Sequence, residues 1–241
     1  TQGRITAQTP LTHDIVELCV ALDQPLAYTA GQYAALRTGD IARAREYSFA
    51  RAPNGADREL RFFIRLTPGG QFTGWLFEQS RVGETLEVSG PGGDFWLRAS
   101  DAPLVFVAGG SGLAPVLSVL EAAAGAGVAR DAVFLFGART QADLYKLDAI
   151  EAIAARWAGS FRFVPVLSHE PADSGWTGAR GLVTEFLAAP QVPDLAARHA
   201  YLCGPPPMID AALRVLSAAG VADAHVHYDK FLDSSSLGAK V

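Results

Sequence analysis

The stretch PLVFVAGGSGLAP, residues 103–115, changes from an unbroken apolar run to a cluster of glycines and then to an amphipathic pattern. The run before the glycines has no polar side chain, which is typical of a strand buried on both faces of a sheet. Leu113, Val116 and Leu120 then recur at helical spacing. A buried strand, a glycine turn and a helix in this order predict the first unit of a parallel α/β sheet.

The chain after this stretch repeats the alternation of apolar strands and amphipathic helices. Strands are expected at residues 103–108, 132–136, 161–167, 200–203 and 224–228. Further helices are expected near residues 144–157, 181–188 and 206–218. Residues 100–241 are therefore predicted to form an α/β doubly wound domain with a five-stranded parallel sheet, whose ligands bind at the carboxyl ends of the strands.

Residues 1–99 show a different periodicity. In ELRFFIRL, residues 59–66, the apolar residues Leu60, Phe62 and Ile64 occupy every second position, which is typical of a β-strand. Similar runs occur at residues 3–9, 14–22, 32–37, 46–50 and 84–89. Six short strands separated by glycine- and proline-rich turns predict a small antiparallel barrel or sandwich as a first domain.

The composition limits the kinds of partner and cofactor. The 241 residues are sufficient for two domains, and the formal net charge of −5 argues against nucleic acid as a partner. No apolar run approaches the roughly 20 residues of a membrane span, and residues 1–10 lack a signal-peptide pattern, so we expect a cytoplasmic protein. Cys19 and Cys203 are too few for a disulfide scaffold, a zinc site or an iron-sulfur cluster, so no metal site is expected on this chain.

Two glycine-rich turns precede helices, one in each half. The glycines of residues 109–112 allow a ligand close to the backbone, and the helix start that follows presents free amides, which suits a pyrophosphate. PGGQFT, residues 68–73, repeats this logic before the helix expected at residues 72–80, where Thr73 can place its hydroxyl beside the free amides. Each turn taken alone is also explained as an ordinary structural turn. Together they suggest two nucleotides or one long dinucleotide.

The segment REYS, residues 45–48, gathers a cation, an aromatic ring and a hydroxyl on one strand. Side chains two positions apart share a face, so Arg45 and Tyr47 point together while Ser48 points to the other side. Residues 1–100 contain ten arginines and no lysine. Guanidinium groups suit bidentate recognition of phosphate or carboxylate.

The segment YLCGPPPM, residues 201–208, ends a buried strand with one thiol, a glycine and three prolines. The prolines stop the sheet but tolerate the first turn of a helix, so Cys203 lies at the lip of a rigid segment. A lone cysteine in an apolar strand is either a core residue or a site residue. A nucleophilic-cysteine hydrolase would need an activating histidine, and the five histidines are scattered without a family signature.

These motifs occur in an order and spacing that resemble the ferredoxin-NADP reductase superfamily over nearly the whole chain. The motifs that carry the resemblance are REYSFA, PGGQFT, GPGGDFWL, GGSGLAP, FGART, W-T-G-x-x-G at residues 176–181, and YLCGPPPM. HYDKFLDS, residues 227–234, further resembles reductase components of multicomponent bacterial oxygenases, such as those serving benzoate dioxygenase and soluble methane monooxygenase. The resemblance implies an FAD-binding six-stranded Greek-key β-barrel at residues 1–99 and an NAD(H)-binding α/β domain at residues 100–241.

The resemblance also implies an FAD site on the barrel. Arg45 would pair with the pyrophosphate, Tyr47 would stack on the isoalloxazine, and Ser48 would donate a hydrogen bond near flavin N5. The turn at residues 70–73 would cap the same pyrophosphate, and the backbone of residues 65–67 would follow the flavin and ribityl chain. The implied FAD contacts are Arg45, Tyr47, Ser48, Phe63, Ile64, Arg65, Thr67, Gly69, Gly70, Gln71, Phe72, Thr73 and Phe231.

By the same resemblance, the pyrophosphate of the nicotinamide dinucleotide would lie at residues 109–115. Cys203 would position the nicotinamide, and Phe231 would cover the flavin until the nicotinamide displaces it, while Asp229 stands where plant-type relatives have a glutamate. The implied catalytic residues are Ser48, Cys203, Asp229 and Phe231. The implied dinucleotide contacts are Gly110, Ser111, Gly112, Leu113, Pro115, Arg139, Cys203, Gly204 and Pro205.

The choice between NADH and NADPH is expected to depend on FGARTQADLY, residues 136–145. An NADPH enzyme needs cations for the extra phosphate, but Arg139 is followed by Gln141 and Asp143, with no second base until Lys146. We therefore expect NADH, although Arg139 leaves NADPH open.

The resemblance implies an FAD-dependent reductase that passes hydride from NADH to FAD and then single electrons to a [2Fe-2S] ferredoxin serving an oxygenase. The chain has no C-x4-C-x2-C motif, so the [2Fe-2S] centre is expected on a missing segment or on a separate partner. Two alternatives stay open from the sequence. One is a free-standing flavin, ferric or haem-protein reductase, and the other is a non-catalytic module that binds flavin and nucleotide.

Overall fold

The first half of the chain folds into a six-stranded antiparallel barrel. The computed structural model describes residues 1–39, 41–188 and 190–231. The barrel elements are β1 (Gln2–Pro10), β2 (Ile15–Leu26), β3 (Tyr33–Arg37), β4 (Arg45–Ser48), β5 (Asp57–Arg65), α1 (Gln71–Glu78) and β6 (Thr85–Gly92). The strands follow the order β4-β3-β6-β1-β2-β5, and an antiparallel bridge between Phe49 and Phe62 closes the ring. This confirms the predicted barrel.

Alternation along β5 gives the barrel its interior. The side chains of Leu60, Phe62 and Ile64 are fully buried inside the barrel, as the period of two predicts. Phe63 points to the opposite face and is also buried, because the second domain covers that face. The sequence pattern assigns the inner face correctly, but it does not show that the outer face is covered.

The second half folds around a parallel sheet with helices. Its elements are β7 (Leu104–Gly109), α2 (Leu113–Gly125), β8 (Ala132–Ala138), α3 (Leu147–Arg156), β9 (Phe161–Leu167), β10 (Ala179–Arg180), β11 (His199–Gly204), α4 (Pro206–Ala218) and β12 (Val226–Lys230). The strand order is β10-β9-β8-β7-β11-β12, and every pair in it is parallel. The predicted α/β doubly wound class is confirmed.

Two expectations about this domain are corrected. The sheet has six strands and not five, since β10 also pairs with β9. The sequence pattern does not reveal β10, because a strand of two residues has no apolar periodicity. The helix expected at residues 181–188 is a short 3-10 segment, Val183–Leu187. Its apolar side chains pack against α4 and the sheet, so they show helical spacing without forming an α-helix.

The two halves share an apolar core. Phe63 of the barrel meets the ring of Tyr145 edge-on at 5.4 Å between centroids, and Phe95 meets Tyr201 in the same way at 5.9 Å. The Lys146 ammonium donates to Glu17 of β2 at 2.9 Å, which adds an ion pair across the interface. The boundary expected after residue 99 stays a prediction, and it falls in the connection between β6 and β7.

Residues 232–234 of the HYDKFLDS motif lie outside the described residues. None of the helices that the structure describes combines the length and apolarity that a membrane crossing requires.

Candidate functional site

A cleft of about 290 Å³ lies between the barrel and the carboxyl ends of the parallel strands. The barrel lines it with Thr12, Asp14, Ile15 and Arg65. The second domain lines it with Gly109, Gly110, Gly137, Arg139, Pro205 and Met208, among others. Open α/β sheets bind ligands at this edge, so the cleft is the place that the fold itself provides for a nucleotide.

The glycine turn after β7 forms the floor of this cleft. Gly110 has a φ of +55°, and a Cβ at this position would lie 3.4 Å from Nη1 of Arg65. A Cβ on Gly112 would lie 2.3 Å from the carbonyl oxygen of Cys203. The turn therefore needs glycine both for its backbone conformation and for its close contact with the β11 terminus. The turn Gly110–Gly112 is a 3-10 segment that runs directly into α2, and the amide of Leu113 already donates to the carbonyl of Gly110. The amides available to a pyrophosphate are therefore those of the turn itself.

Tyr145, which no sequence motif singles out as a site residue, holds the glycine turn in place. Its hydroxyl donates to the carbonyl of Gly110 at 2.9 Å, while its ring packs on Phe63 and Phe136. A tyrosine in FGARTQADLY gives no sequence signal for this role, since its partners are distant along the chain.

Cys203 lies at the end of β11, fully buried, beside Ala108 of β7 and Asp229 of β12. Burial raises the pKa of its thiol well above the ordinary value, and the charge of Asp229 raises it further. The thiol is therefore protonated at neutral pH. This favours a positioning role and argues against a thiolate nucleophile.

Strand β12 brings the carboxyl group of Asp229, whose pKa is raised, to the same region. Burial raises the pKa of Asp229 to about 6, and the carboxylates of Glu46 and Asp94 add to the rise. Glu46 belongs to β4 of the barrel, so Asp229 lies close to the strand that carries the REYS motif. Phe231 follows directly, and its amide donates to the carbonyl of Gly204 at 3.0 Å while its ring packs against the shared core. The structure thus brings Cys203, Asp229 and Phe231 together.

The REYS motif forms β4, next to β3. Tyr47 is half-buried, and its ring lies 5.4 Å from that of Phe72 at an interplanar angle of 37°. Ser48 is buried opposite Tyr33. Nη1 of Arg45 donates to the carbonyl of Ala44 at 3.2 Å, and the side chain is partly exposed. The partly exposed guanidinium of Arg45 can donate to a phosphate, and the half-buried ring of Tyr47 can pack on a flat ring system. These two side chains fit a flavin nucleotide.

The PGGQFT turn lies beside Tyr47, because the ring of Phe72 contacts the ring of Tyr47. The hydroxyl of Thr73 differs from the expectation. Gly69 has a φ of +71°, and the amide of Gly70 donates to the carbonyl of Thr67 at 2.9 Å. The Thr73 hydroxyl accepts from the amide of Thr67 at 3.1 Å, so it locks the turn and does not cap the helix. Helix α1 begins after Gly70 without a side-chain cap. Its first amides therefore suit a phosphate, and a Cβ on Gly70 would clash with the Thr73 hydroxyl at 2.6 Å.

Some residues expected at the sites are buried in the protein instead of lining the cleft. The side chains of Phe63 and Ile64 lie in the shared core and in the barrel core, so only their backbone is available to a cofactor. Leu113 and Pro115 are buried under the glycine turn and shape the start of α2. Ser111 is also largely buried. These residues support the sites by packing.

The two sequence halves match two known families. Residues 2–96 match the oxidoreductase FAD-binding domain, and residues 106–214 match the oxidoreductase NAD-binding domain. The chain is 36% identical, over 97% of its length and 69% of the relative, to a ferredoxin-NAD(P)+ reductase component of naphthalene 1,2-dioxygenase/salicylate 5-hydroxylase systems from Ralstonia. The chain belongs to the ferredoxin-NADP reductase superfamily. It carries an FAD-binding domain and an NAD-binding domain.

Other members of this superfamily resemble the chain over a similar extent. The electron transfer component of xylene/toluene monooxygenase from Pseudomonas putida is 46% identical over 96% of this chain, which spans 65% of that relative. The solved ferredoxin reductase of carbazole 1,9a-dioxygenase superposes with a TM-score of 0.86 at 27% identity, covering 96% of this chain and 69% of that structure. A ferredoxin NADP+ reductase from Neisseria gonorrhoeae, with bound FAD and NADP, has a TM-score of 0.80 at 21% identity and shows a shared fold. The chain thus spans about two thirds of the length of its oxygenase-system relatives.

Proposed function

We propose that the chain is the flavin- and nicotinamide-binding part of an oxygenase reductase, which takes hydride from NADH and passes electrons to a [2Fe-2S] ferredoxin. The observation that carries this proposal is the contact between the two domains at the carboxyl ends of the parallel strands. The dinucleotide turn at Gly110 approaches Arg65 of the barrel, and Asp229 beside Cys203 lies near Glu46 of the flavin strand. Direct hydride transfer requires the nicotinamide and the flavin to meet, and these contacts between the domains support such a meeting.

The proposed roles of the residues are those that the family resemblance implies, and the positions of the side chains are compatible with them. Arg45 and the first amides of α1 would bind the FAD pyrophosphate, Tyr47 would pack on the flavin ring, and Ser48 would donate a hydrogen bond to it. When bound, FAD supplies the conversion of a two-electron hydride into single electrons. Cys203 would fix the nicotinamide at the end of β11, and Phe231 would exclude water from the flavin face.

The proposed partner is a ferredoxin domain or protein with a [2Fe-2S] centre, and an oxygenase lies downstream of it. The relatives of known role are reductase components of oxygenase systems, and this chain spans about two thirds of their length. We infer that the arginines of the barrel surface contact an acidic ferredoxin face, and that the protein acts in the cytoplasm.

Anaerobic titration with NADH tests the proposal. We expect purified protein to be yellow and to lose its flavin absorbance band on addition of one equivalent of NADH, with NADPH acting less efficiently. Stopped-flow mixing of the reduced protein with a [2Fe-2S] ferredoxin should then reoxidise it quickly. Faster reoxidation by free flavin, ferric chelates or a haem protein would favour a free-standing reductase. Colourless protein, or yellow protein that NADH does not bleach, would contradict the proposal and favour a non-catalytic binding module.

A further inference from the structure

Asp14, at the tip of the β1–β2 hairpin, reaches from the FAD-binding barrel into the nucleotide cleft. Its Oδ1 accepts from the hydroxyl of Thr12 at 3.0 Å, and its Oδ2 accepts from Nε of Arg65 at 2.8 Å. The backbone is fixed as well, since the amide of Leu66 donates to the carbonyl of Asp14 at 2.8 Å. The carboxylate is therefore held rigidly at the barrel side of the cleft.

Arg139 meets this carboxylate from the other domain. It follows the carboxyl end of β8, and its Nη2 lies 3.5 Å from Oδ2 of Asp14 and 3.4 Å from Nε2 of His13. Nδ1 of His13 lies in turn 3.3 Å from Oδ1 of Asp143. Acids from both domains thus flank Arg139. His13, Asp14 and Asp143 come close enough together to resemble a metal site, but Arg65 and Arg139 already hold the Asp14 carboxylate.

The location of Arg139 connects its contact with Asp14 to the choice between NADH and NADPH. In a dinucleotide-binding sheet, the end of the second strand is where the adenosine ribose is recognised, by an acid for a 2′-hydroxyl or by an arginine for a 2′-phosphate. An arginine at this place should favour NADPH. Here Nη2 of Arg139 lies 3.5 Å from the Asp14 carboxylate, so a phosphate that approached Arg139 with about −1.5 to −2 charges would also meet that carboxylate.

The Asp14 carboxylate is charged under ordinary conditions. Burial raises the pKa of Asp14, but the hydrogen bond and charge of Arg65 outweigh burial and hold the pKa below the ordinary value. Arg65 and Arg139 are balanced by Asp14 and Asp143, so the cleft has no surplus positive charge for an added phosphate.

We propose that Asp14, a residue of the FAD-binding domain, selects NADH over NADPH by occupying Arg139 and repelling the 2′-phosphate. The inference rests on the proposed function, and it adds a selecting residue from outside the nucleotide domain. A 2′-hydroxyl can donate a hydrogen bond to a carboxylate in this place, whereas a 2′-phosphate can only accept.

The test compares Asp14→Asn with Glu17→Gln in the FAD-loaded protein. Glu17 also forms an ion pair between the domains, with Lys146, and it does not line the cleft, so its variant is a matched control. In Asp14→Asn, the ratio of kcat/KM for NADPH to that for NADH should rise at least about tenfold, as expected when one charge-assisted contact to phosphate is gained. In Glu17→Gln the ratio should stay within about twofold of the original chain.

A binding measurement makes the test independent of catalysis. Calorimetric titration with adenosine 2′,5′-bisphosphate should show at least about tenfold tighter binding to Asp14→Asn, while 5′-AMP should change by less than about threefold. Adding Arg139→Ala to Asp14→Asn should remove the gain. If NADH fails to reduce the flavin of the original chain, the proposed function is wrong, and these titrations still decide the role of Asp14.

Three results would overturn the inference. The first is an unchanged bisphosphate affinity in Asp14→Asn, and the second is a gain that persists after Arg139→Ala is added. The third concerns Arg139→Ala alone, which keeps Asp14 and covers the case in which Asp14→Asn does not fold. This variant should change the binding of the bisphosphate by less than about twofold, and a loss of about tenfold would show that Arg139 is available to phosphate in the original chain.

Discussion

At the scale of single residues, the structure shows surroundings that the sequence does not reveal. The thiol of Cys203 is fully buried in the core, and the backbone of Cys203 packs directly against the glycine turn at Gly112. Asp229 is an acidic side chain in a half-buried position near two other carboxylates, those of Glu46 and Asp94. Each property depends on groups that are far away along the chain.

Replacement of Cys203 tests the positioning role. We expect Cys203→Ser to keep the bound flavin spectrum and to slow flavin reduction by NADH by about tenfold or more, because small displacements of a hydride donor are costly. Stopped-flow absorbance measures the rate. Cys19→Ser is the control, since Cys19 lies on β2 in the barrel and is the other thiol of the chain. A normal rate in Cys203→Ser would remove this residue from the site.

The raised pKa of Asp229 predicts a pH-dependent stability. A carboxyl with a pKa of about 6 in the folded state and 3.8 in the reference state binds more protons when folded, so its ionisation destabilises the fold as the pH rises from about 4 to 6. Asp229→Asn should therefore stabilise the protein by about 1 to 3 kcal/mol at pH 7.5 and by little at about pH 4. Urea unfolding at both values measures this.

Asp173→Asn is the matched control for this experiment, because Asp173 is an exposed acid in a loop. Its stability should follow that of the unchanged chain at both pH values. An equal effect of Asp229→Asn at the two pH values would contradict the assigned pKa.

At the scale of elements, β4 and α1 together form the proposed phosphate site of the flavin. Strand β4 supplies Arg45, and α1 supplies amides that no side chain caps. Their sequence motifs predict both elements, but the hydroxyl of Thr73 turns back to Thr67 instead of capping the helix. This detail leaves the helix start more open to an anion than the motif suggests.

Removal of the guanidinium tests this site. Arg45→Ala should weaken FAD binding by roughly 2 to 3 kcal/mol, the value of a charge-assisted hydrogen-bonded pair with phosphate. Equilibrium dialysis or flavin fluorescence measures the affinity. Arg58→Ala, an exposed arginine of β5 that contacts a backbone carbonyl, should retain FAD normally. Equal affinities of the two variants would show that Arg45 does not contact the cofactor.

At the scale of the whole molecule, the two domains are joined by a continuous apolar core. Rings of the barrel, such as Phe63 and Phe95, pack into the same cluster as Tyr145 and Tyr201. A large apolar interface resists independent domain motion. We expect the two domains to unfold together.

Truncation of a ring in this interface tests the coupling. Phe63→Ala should cost about 3 to 5 kcal/mol of unfolding free energy, as for other buried aromatic side chains. Flavin release and far-UV ellipticity should report the same urea transition in the unchanged chain. Val82→Ala, at an exposed barrel position, should cost less than about 0.5 kcal/mol. Two separate transitions in the unchanged chain would show that the domains are independent.

The sequence by itself determined the two domain classes, the inner face of β5 and the glycine turns, because periodicity and turn chemistry act between residues that are close along the chain. It missed β10, since two residues are too short for any period to show. Only the tertiary structure decided that Tyr145 holds the turn at Gly110 and that Asp14 pairs with Arg139, 125 positions later. Such contacts depend on how one domain packs on the other, and no local pattern records that arrangement.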